Sequence, residues 1–514
     1  EQVERCYQQL LAYIDDKLQQ HIYLNNLHDR NETVFYRLLI DHMLELLPII
    51  YTPIVGTAVK QHGREFRQPR GIYIAYPDRH HIDEILDNRS HPDIRLIVAT
   101  DGEGVLGIGD QGVGAIDIPI AKLVVYTLCG GLNPAYTLPI MLDVGTNNQQ
   151  LLNDPYYLGW QHERIGREEY DEFIELFINA VKKKFPNAFL HWEDLGRDNA
   201  QRLLQHYQNE LCTFNDDIQG TGAVALAGLL SASKVTNTPL TEQRMVIYGA
   251  GSAGMGIADQ IVLALQRNGL SAEQAYAQFW LVDRAGLLLS NMDELTPSQQ
   301  PYARDPQEVE HLPRNAQGQI ELLSVIEHVK PHVLIGCSTV FGAFDQTIVQ
   351  TMARYCERPI IFPMSNPTER AEANPKDLLA WTNGKALVAA GSPFDNFDDQ
   401  GHPIQVAQCN NALIFPAIGL GVLAANATRL TENMIWAACQ ALAAAAPVHT
   451  DINAPILPPV SQIRDLRISI ASAVMEQARH DGVAQCDWSQ TIEALCDEVS
   501  WEPYYLPLRK WVEE

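Results

Sequence analysis

Residues 189–194 read FLHWED and residues 212–217 read CTFNDD. Each is an apolar run that closes on two carboxylates, Glu193 with Asp194 and Asp216 with Asp217. Carboxylates packed together repel and resist ionisation unless a cation joins them. An all-oxygen set suits Mg2+ or Mn2+ rather than Zn2+. Glu193, Asp194 and Asp217 are therefore the expected metal ligands. Asp216 is left to hydrogen-bond a neighbour, with Lys122 as one partner open to it. The competing expectation is that these acids cap the next helices, since DLGRDNA also reads as a helix start.

Acid–base groups come next. Lys122 lies in the apolar stretch IPIAKLVVY, where burial disfavours the ammonium and makes a usable base near neutral pH. A lysine whose head snorkels to water is the alternative. Tyr51 opens YTPIVG, a rigid turn that could aim its hydroxyl; a core tyrosine is the plainer expectation. Asn366 in SNPT closes a strand at the end where open parallel sheets bind ligands. Asn410 and Asn411 lie where the chain is expected to re-enter the substrate domain, and all three asparagines could instead be turn residues.

GAGSAG supplies Gly249, Gly251 and Gly254 between a strand and a helix. The first permits the tight turn, the second lets a pyrophosphate reach helix N-terminal amides, and the third lets helix and strand pack closely. Asp283 ends the next strand, FWLVD, and is placed to accept from a ribose hydroxyl. An acid there favours NAD over NADP, although Arg284 beside it pulls the other way and a cap or surface turn would also use it. The run ATDGEGVLGIGDQG (99–112) is glycine-rich and has no cation, with Gly104 directly after Glu103.

These groups need a frame. The strand-like runs MVIYGAGSAG, FWLVDR, HVLIGCS, RPIIFPMSNP and KALVAAGSP alternate with helical patterns, which predicts a Rossmann-type doubly wound parallel sheet. FLHWED, the helical DNAQRLLQHYQNEL and CTFNDD read as a βαβ unit of a second α/β substrate domain. The N- and C-terminal regions read as helical; RNETVFYRLLIDHMLELLPII places Val34, Leu38, Leu39, His42 and Leu46 on one face. YTPIVG is expected to break that helix at Pro53 and Gly56. The expected division is a helical domain over 1–69, a substrate and metal domain over 70–216 and 411–480, a cofactor domain over 217–410 and a tail over 481–514.

With 63 acidic against 37 basic residues the formal charge is −26, which disfavours nucleic acid and anionic membranes as partners. Nine cysteines without paired spacing predict reduced thiols in a cytoplasmic setting. No apolar run is expected to span a bilayer.

Read in order, YTPIVG, TDGEG…GIGDQG, AKLVVYT, DVGTNN, LLNDPYYLG, WEDLG, FNDDIQGTG, GAGSAG, SNPT and NNALIFP resemble the malic enzyme family over nearly the whole chain. The resemblance implies Tyr51 as catalytic acid and Lys122 as base. It implies Glu193, Asp194 and Asp217 as divalent-metal ligands, and Asn366 and Asn411 as substrate and nicotinamide contacts. It implies L-malate as substrate, NAD and Mn2+ or Mg2+ as cofactors, and a homo-oligomer, dimer or tetramer. One position departs. Where malic enzymes carry an arginine that grips a malate carboxylate, this chain has Gly104, as the related malolactic enzymes do. LHWEDLGR and STVFGAF resemble that branch too, whereas the Thr after Tyr51 does not. The expectation is malolactic decarboxylation of L-malate to L-lactate and CO2 with bound NAD. Oxidative decarboxylation to pyruvate, CO2 and NADH is the alternative, and a non-catalytic dinucleotide-binding sensor the second.

Overall fold

The computed structural model describes residues 1–65, 68–105, 107–399 and 402–507, side chains at 398–403 excepted. Contacts divide the chain into two compact units. The first holds Glu1–Gly196, Leu423–Thr428 and Gln485 onward; the second holds Arg197–Val422 and Arg429–Ala484.

The first unit opens with the helices Gln2–Leu11, Lys17–Arg30, Glu32–Asp41, Met43–Ile50 and Ile54–Gln61. The single amphipathic helix expected from residue 30 onward is two, because the chain breaks at His42, which caps both. Val34, Leu38, Leu39 and Leu46 are nonetheless buried. Gly56, expected as a breaker, lies inside the last of these helices; the break falls at Tyr51–Pro53.

Four strands of this unit are parallel: β1 (Ile72–Ala75), β2 (Leu96–Thr100), β3 (Thr137–Asp143) and β4 (Phe189–Trp192), in the order β1-β3-β2-β4. β2 and β4 are neighbours in register, Ala99 beside Trp192. Two segments therefore emerge at the same edge: the glycine-rich run after Thr100, and Glu193 with Asp194 after Trp192. The helix Asp117–Gly130 runs back from the glycine-rich loop and ends at Gly131 with φ 76°. Gly112–Gly130 is long and apolar enough to cross a membrane, as is Met43–Arg64, so the expectation of no such run is corrected. The first is 94% buried in protein and carries Lys122, which is how a core helix looks.

The second unit begins with the helix Arg197–Tyr207 and β5 (Thr213–Asn215). Its seven-stranded sheet contains β6 (Met245–Tyr248), β7 (Phe279–Asp283), β8 (Gly286–Leu287), β9 (Val333–Gly336), β10 (Ile360–Pro363) and β11 (Leu387–Ala390). A hairpin of β12 (Phe397–Asp399) and β13 (His402–Ile404) stands apart, and β14 (Ala407–Gln408) closes the edge. The order is β14-β11-β10-β9-β6-β7-β8, parallel except for β7 with β8. Strand order reverses at β6, where Met245 pairs with Phe279 on one side and Val333 on the other. Open parallel sheets bind ligands at such a crevice, beyond the carboxyl ends of the strands.

Most of 411–480, expected with the substrate domain, packs within this second unit. The helix Glu432–Ala444 lies on the helix Thr221–Thr236, and Glu432 accepts from Gln219 at 2.9 Å and Gln260 at 2.8 Å.

Candidate active site

In the first unit the expected acid–base pair is brought together. Tyr51 caps the helix Met43–Ile50 and is buried. Lys122, on the helix Asp117–Gly130, points its Nζ to 5.5 Å from the Tyr51 ring centroid. Its side chain is 5% exposed, so it does not snorkel, and it forms an ion pair of 3.0 Å with Glu193 Oε1.

Glu193 is held from its other side. His191 Nε2 lies 2.8 Å from Glu193 Oε2, and its Nδ1 lies 2.8 Å from the Tyr126 hydroxyl. One tautomer satisfies the whole set: the Tyr126 hydroxyl donates to Nδ1 and the Nε2–H donates to the carboxylate. His191 is fully buried and was missed in the sequence, where it reads only as the polar interruption in FLHW. Asp194 has φ 52°, a left-handed backbone that non-glycine residues seldom adopt and that clusters at functional sites.

The glycine-rich loop packs against this strand end. Gly104 N donates to Asp194 O at 3.0 Å, and a Cβ at 104 would stand 2.4 Å from Leu195 O. The glycine is thus required by a close backbone approach rather than by a positive φ. Arg164, also missed, ties the two ends of this loop. Its fork donates to both oxygens of Asp110 at 2.9 Å and its Nη2 to Asp101 O at 2.9 Å. The Tyr170 hydroxyl donates to Asp101 Oδ2 at 2.7 Å. Burial alone would raise the Asp110 carboxyl; Arg164 outweighs it and holds the group below the ordinary carboxylate value.

In the second unit Asp216 and Asp217 occupy the helical turn Asp216–Gly220, capped by Asn215, which accepts from Ile218 N at 3.0 Å. They therefore do sit in a first turn, as the capping alternative has it, with Asn215 as the cap itself. Asp216 is fully buried and Asp217 half-buried. Asn411 donates to Asp216 Oδ2 at 2.9 Å, so the amide expected at the substrate is held by this acid. Asn410 caps its own turn through Ala412 N.

The dinucleotide turn has the geometry its glycines imply. Gly249 has φ 106°, and a Cβ there would stand 2.4 Å from the Cys337 carbonyl. A Cβ at Gly254 would stand 2.0 Å from Gly249 O, while Gly251 faces open space and begins the helix Ser252–Arg267 without a side-chain cap. Ala250 O accepts from Arg197 Nη2 at 2.7 Å and Gln299 Nε2 at 2.9 Å, which fixes the turn. Asp283 ends β7, where its Oδ1 accepts from Arg284 N at 2.9 Å; a hairpin comes next, not a helix. Asn366 comes after β10, and its Oδ1 accepts from the Ser392 hydroxyl at 2.7 Å.

A doubly wound sheet with a glycine turn at its switch point in one unit, and in the other a parallel sheet that ends in a buried lysine–carboxylate pair, define a two-unit dinucleotide-dependent enzyme class. Residues 28–208 match the malic enzyme N-terminal domain and residues 218–479 the malic enzyme NAD-binding domain. The chain belongs to the malic enzyme family. It is 48% identical to an NAD-dependent malic enzyme of Shewanella sediminis over 505 residues, which cover 98% of this chain and 90% of the relative. It is also 48% identical to NAD-dependent malic enzyme 3 of Bacillus subtilis over 512 residues, covering 99% and 90%. A crystal structure of Entamoeba histolytica malic enzyme has the same fold, with a TM-score of 0.61 at 22% identity, over 96% of this chain and 87% of that one.

Proposed function

We propose that this chain catalyses the NAD-dependent oxidative decarboxylation of L-malate to pyruvate, CO2 and NADH. The observation that carries the proposal is the buried Lys122, held between the Tyr51 ring and Glu193. The names of the relatives support this reading better than the malolactic one that Gly104 suggested. Malolactic decarboxylation stays the second reading, because no arginine stands at 104. A non-catalytic sensor would not need a lysine and a carboxylate buried together, since burying such a pair is costly.

Glu193, Asp194 and Asp217 would hold the metal. The donor set is all oxygen, Glu193 is oriented by His191, and the Asp194 backbone is held left-handed. Gly249, Gly251, Gly254 and Asp283 would hold NAD, and Asn366 and Asn411 would meet substrate. When bound, NAD+ supplies the hydride acceptor, and a divalent ion supplies Lewis-acid stabilisation of negative charge at the C2 oxygen. The protein's own part is proton traffic. Lys122 takes the proton of the C2 hydroxyl as hydride leaves C2. Loss of CO2 leaves an enolate, and Tyr51 returns a proton to C3. The same reading includes a homo-oligomer.

Metal-free protein assayed with L-malate and NAD+ tests the proposal. NADH production should be lost in chelator and return when Mn2+ is added. Full turnover without metal would overturn the ligand assignment.

A further inference from the structure

Glu372 lies outside the glycine turn, the strand-end carboxylates and the SNPT segment, yet it is fully buried, with 0% exposure. Its carboxylate collects four hydrogen bonds from two loops. After β9, Ser338 donates its backbone N–H at 2.8 Å and its hydroxyl at 2.9 Å, both to Oε1. After β10, Ser365 donates its hydroxyl to Oε1 at 2.6 Å and its N–H to Oε2 at 3.3 Å. Charge-assisted bonds of this kind are about twice as strong as neutral ones.

The residues on these loops give the arrangement its meaning. The Cys337–Ser338 peptide is the surface on which the dinucleotide turn rests: a Cβ on Gly249 would stand 2.4 Å from Cys337 C and 2.6 Å from Ser338 N. Ser365 directly precedes Asn366, and the single Ser392 hydroxyl proton is shared between Asn366 Oδ1 at 2.7 Å and Ser365 O at 3.2 Å. Thr339, next to Ser338 in the loop after β9, has φ 59°, a conformation a β-branched residue adopts only under constraint. Its N–H donates to Ser365 Oγ at 2.9 Å, so the constraint comes from the same network. Space is kept for the carboxylate too: a Cβ at Gly336, the last residue of β9, would stand 2.6 Å from Glu372 Cδ.

We propose that Glu372 is a positioning residue: it ties the loop after β9 to the loop after β10 and thereby sets the dinucleotide turn and Asn366 in register for cofactor and substrate. The proposal rests on the cofactor reading under Proposed function. A purely structural role would be felt in stability alone; a positioning role is felt in binding and turnover by folded enzyme.

Glu372→Gln keeps the volume and one acceptor. In either orientation its NH2 faces a donor, Ser365 N–H on one side or the three donors to Oε1 on the other. Folded E372Q should bind NADH about tenfold more weakly and lose about tenfold in kcat, the size of one charge-assisted bond. Glu372→Asp should recover part of both. Ser365→Ala, which removes one bond to Glu372 and the acceptor of Thr339 N, should shift both in the same direction and carries the test if E372Q does not fold. Wild-type NADH affinity and kcat in the folded variants, with only the melting temperature lowered, would overturn the proposal. Failure of the cofactor reading looks different: the unaltered protein would then not bind NADH at all, and the proposal would fall with it.

Discussion

At the scale of single residues the lysine and the glycine carry the most. Lys122→Met removes the proposed base and leaves the dinucleotide glycines, which belong to the other unit, untouched. It should lower kcat by about 10²–10⁴-fold with NADH affinity unchanged, as measured by steady-state kinetics and fluorescence titration. Gly104 now has a packing reason. Any side chain there meets the Leu195 carbonyl at 2.4 Å, and the loop it sits on is bonded to Asp194. Gly104→Ala should therefore cost about 1–3 kcal/mol and weaken Mn2+ binding, and Gly104→Arg should do the same before any effect of its charge is felt. Thermal melts and Mn2+ titration check this; wild-type values for the alanine variant would mean that the backbone yields. That Lys122 is buried rather than snorkelling was one of the two readings its apolar stretch allowed. His191, Arg164 and Glu372 were not legible in the sequence, because each acts on a residue that its local pattern does not reveal.

At the scale of elements, alternation of apolar runs and helices was enough to place β4 to β7 and β9 to β11, since a buried parallel strand leaves little else that a short apolar run can be, whereas β1, β3, β8 and β14 were not read as strands. The N-terminal helices were less legible. No glycine or proline marks the break at His42, which is made by the chain turning so that two short helices can each bury a face. The helix Ser252–Arg267, which starts at the dinucleotide turn, holds Asp259. Burial pushes its carboxyl up to about 6, and the Tyr302 hydroxyl, donating at 2.6 Å, offsets this only in part. A raised carboxyl binds its proton more tightly in the folded chain. Its contribution is full below the ordinary value near 4 and is lost as pH rises through about 6. Asp259→Asn keeps the acceptor for Tyr302 and does not titrate. Relative to wild type it should gain about 1–2 kcal/mol between pH 4 and pH 8, read by denaturant unfolding. A parallel pH dependence in the two proteins would contradict this.

At the scale of the molecule, contacts group the chain into two compact units, a coarser division than the four parts expected. Residues 411–480 were expected with the substrate domain; by contacts most of them group with the second unit, where Glu432 accepts from Gln219 and Gln260. Sequence pattern tells which segments are helical, but not which surface they cover. Light scattering should find a homo-oligomer, dimer or tetramer, and a monomer at micromolar concentration would remove that part of the reading. The choice of reaction also belongs to the whole molecule. It depends on whether NADH leaves before pyruvate is reduced. The measurement is direct: incubate the protein with L-malate, NAD+ in excess and Mn2+, then quantify pyruvate, lactate and absorbance at 340 nm. Pyruvate and NADH should accumulate in equal amounts, with little lactate. Lactate accumulating while the absorbance stays flat would contradict the account and establish the malolactic reaction instead.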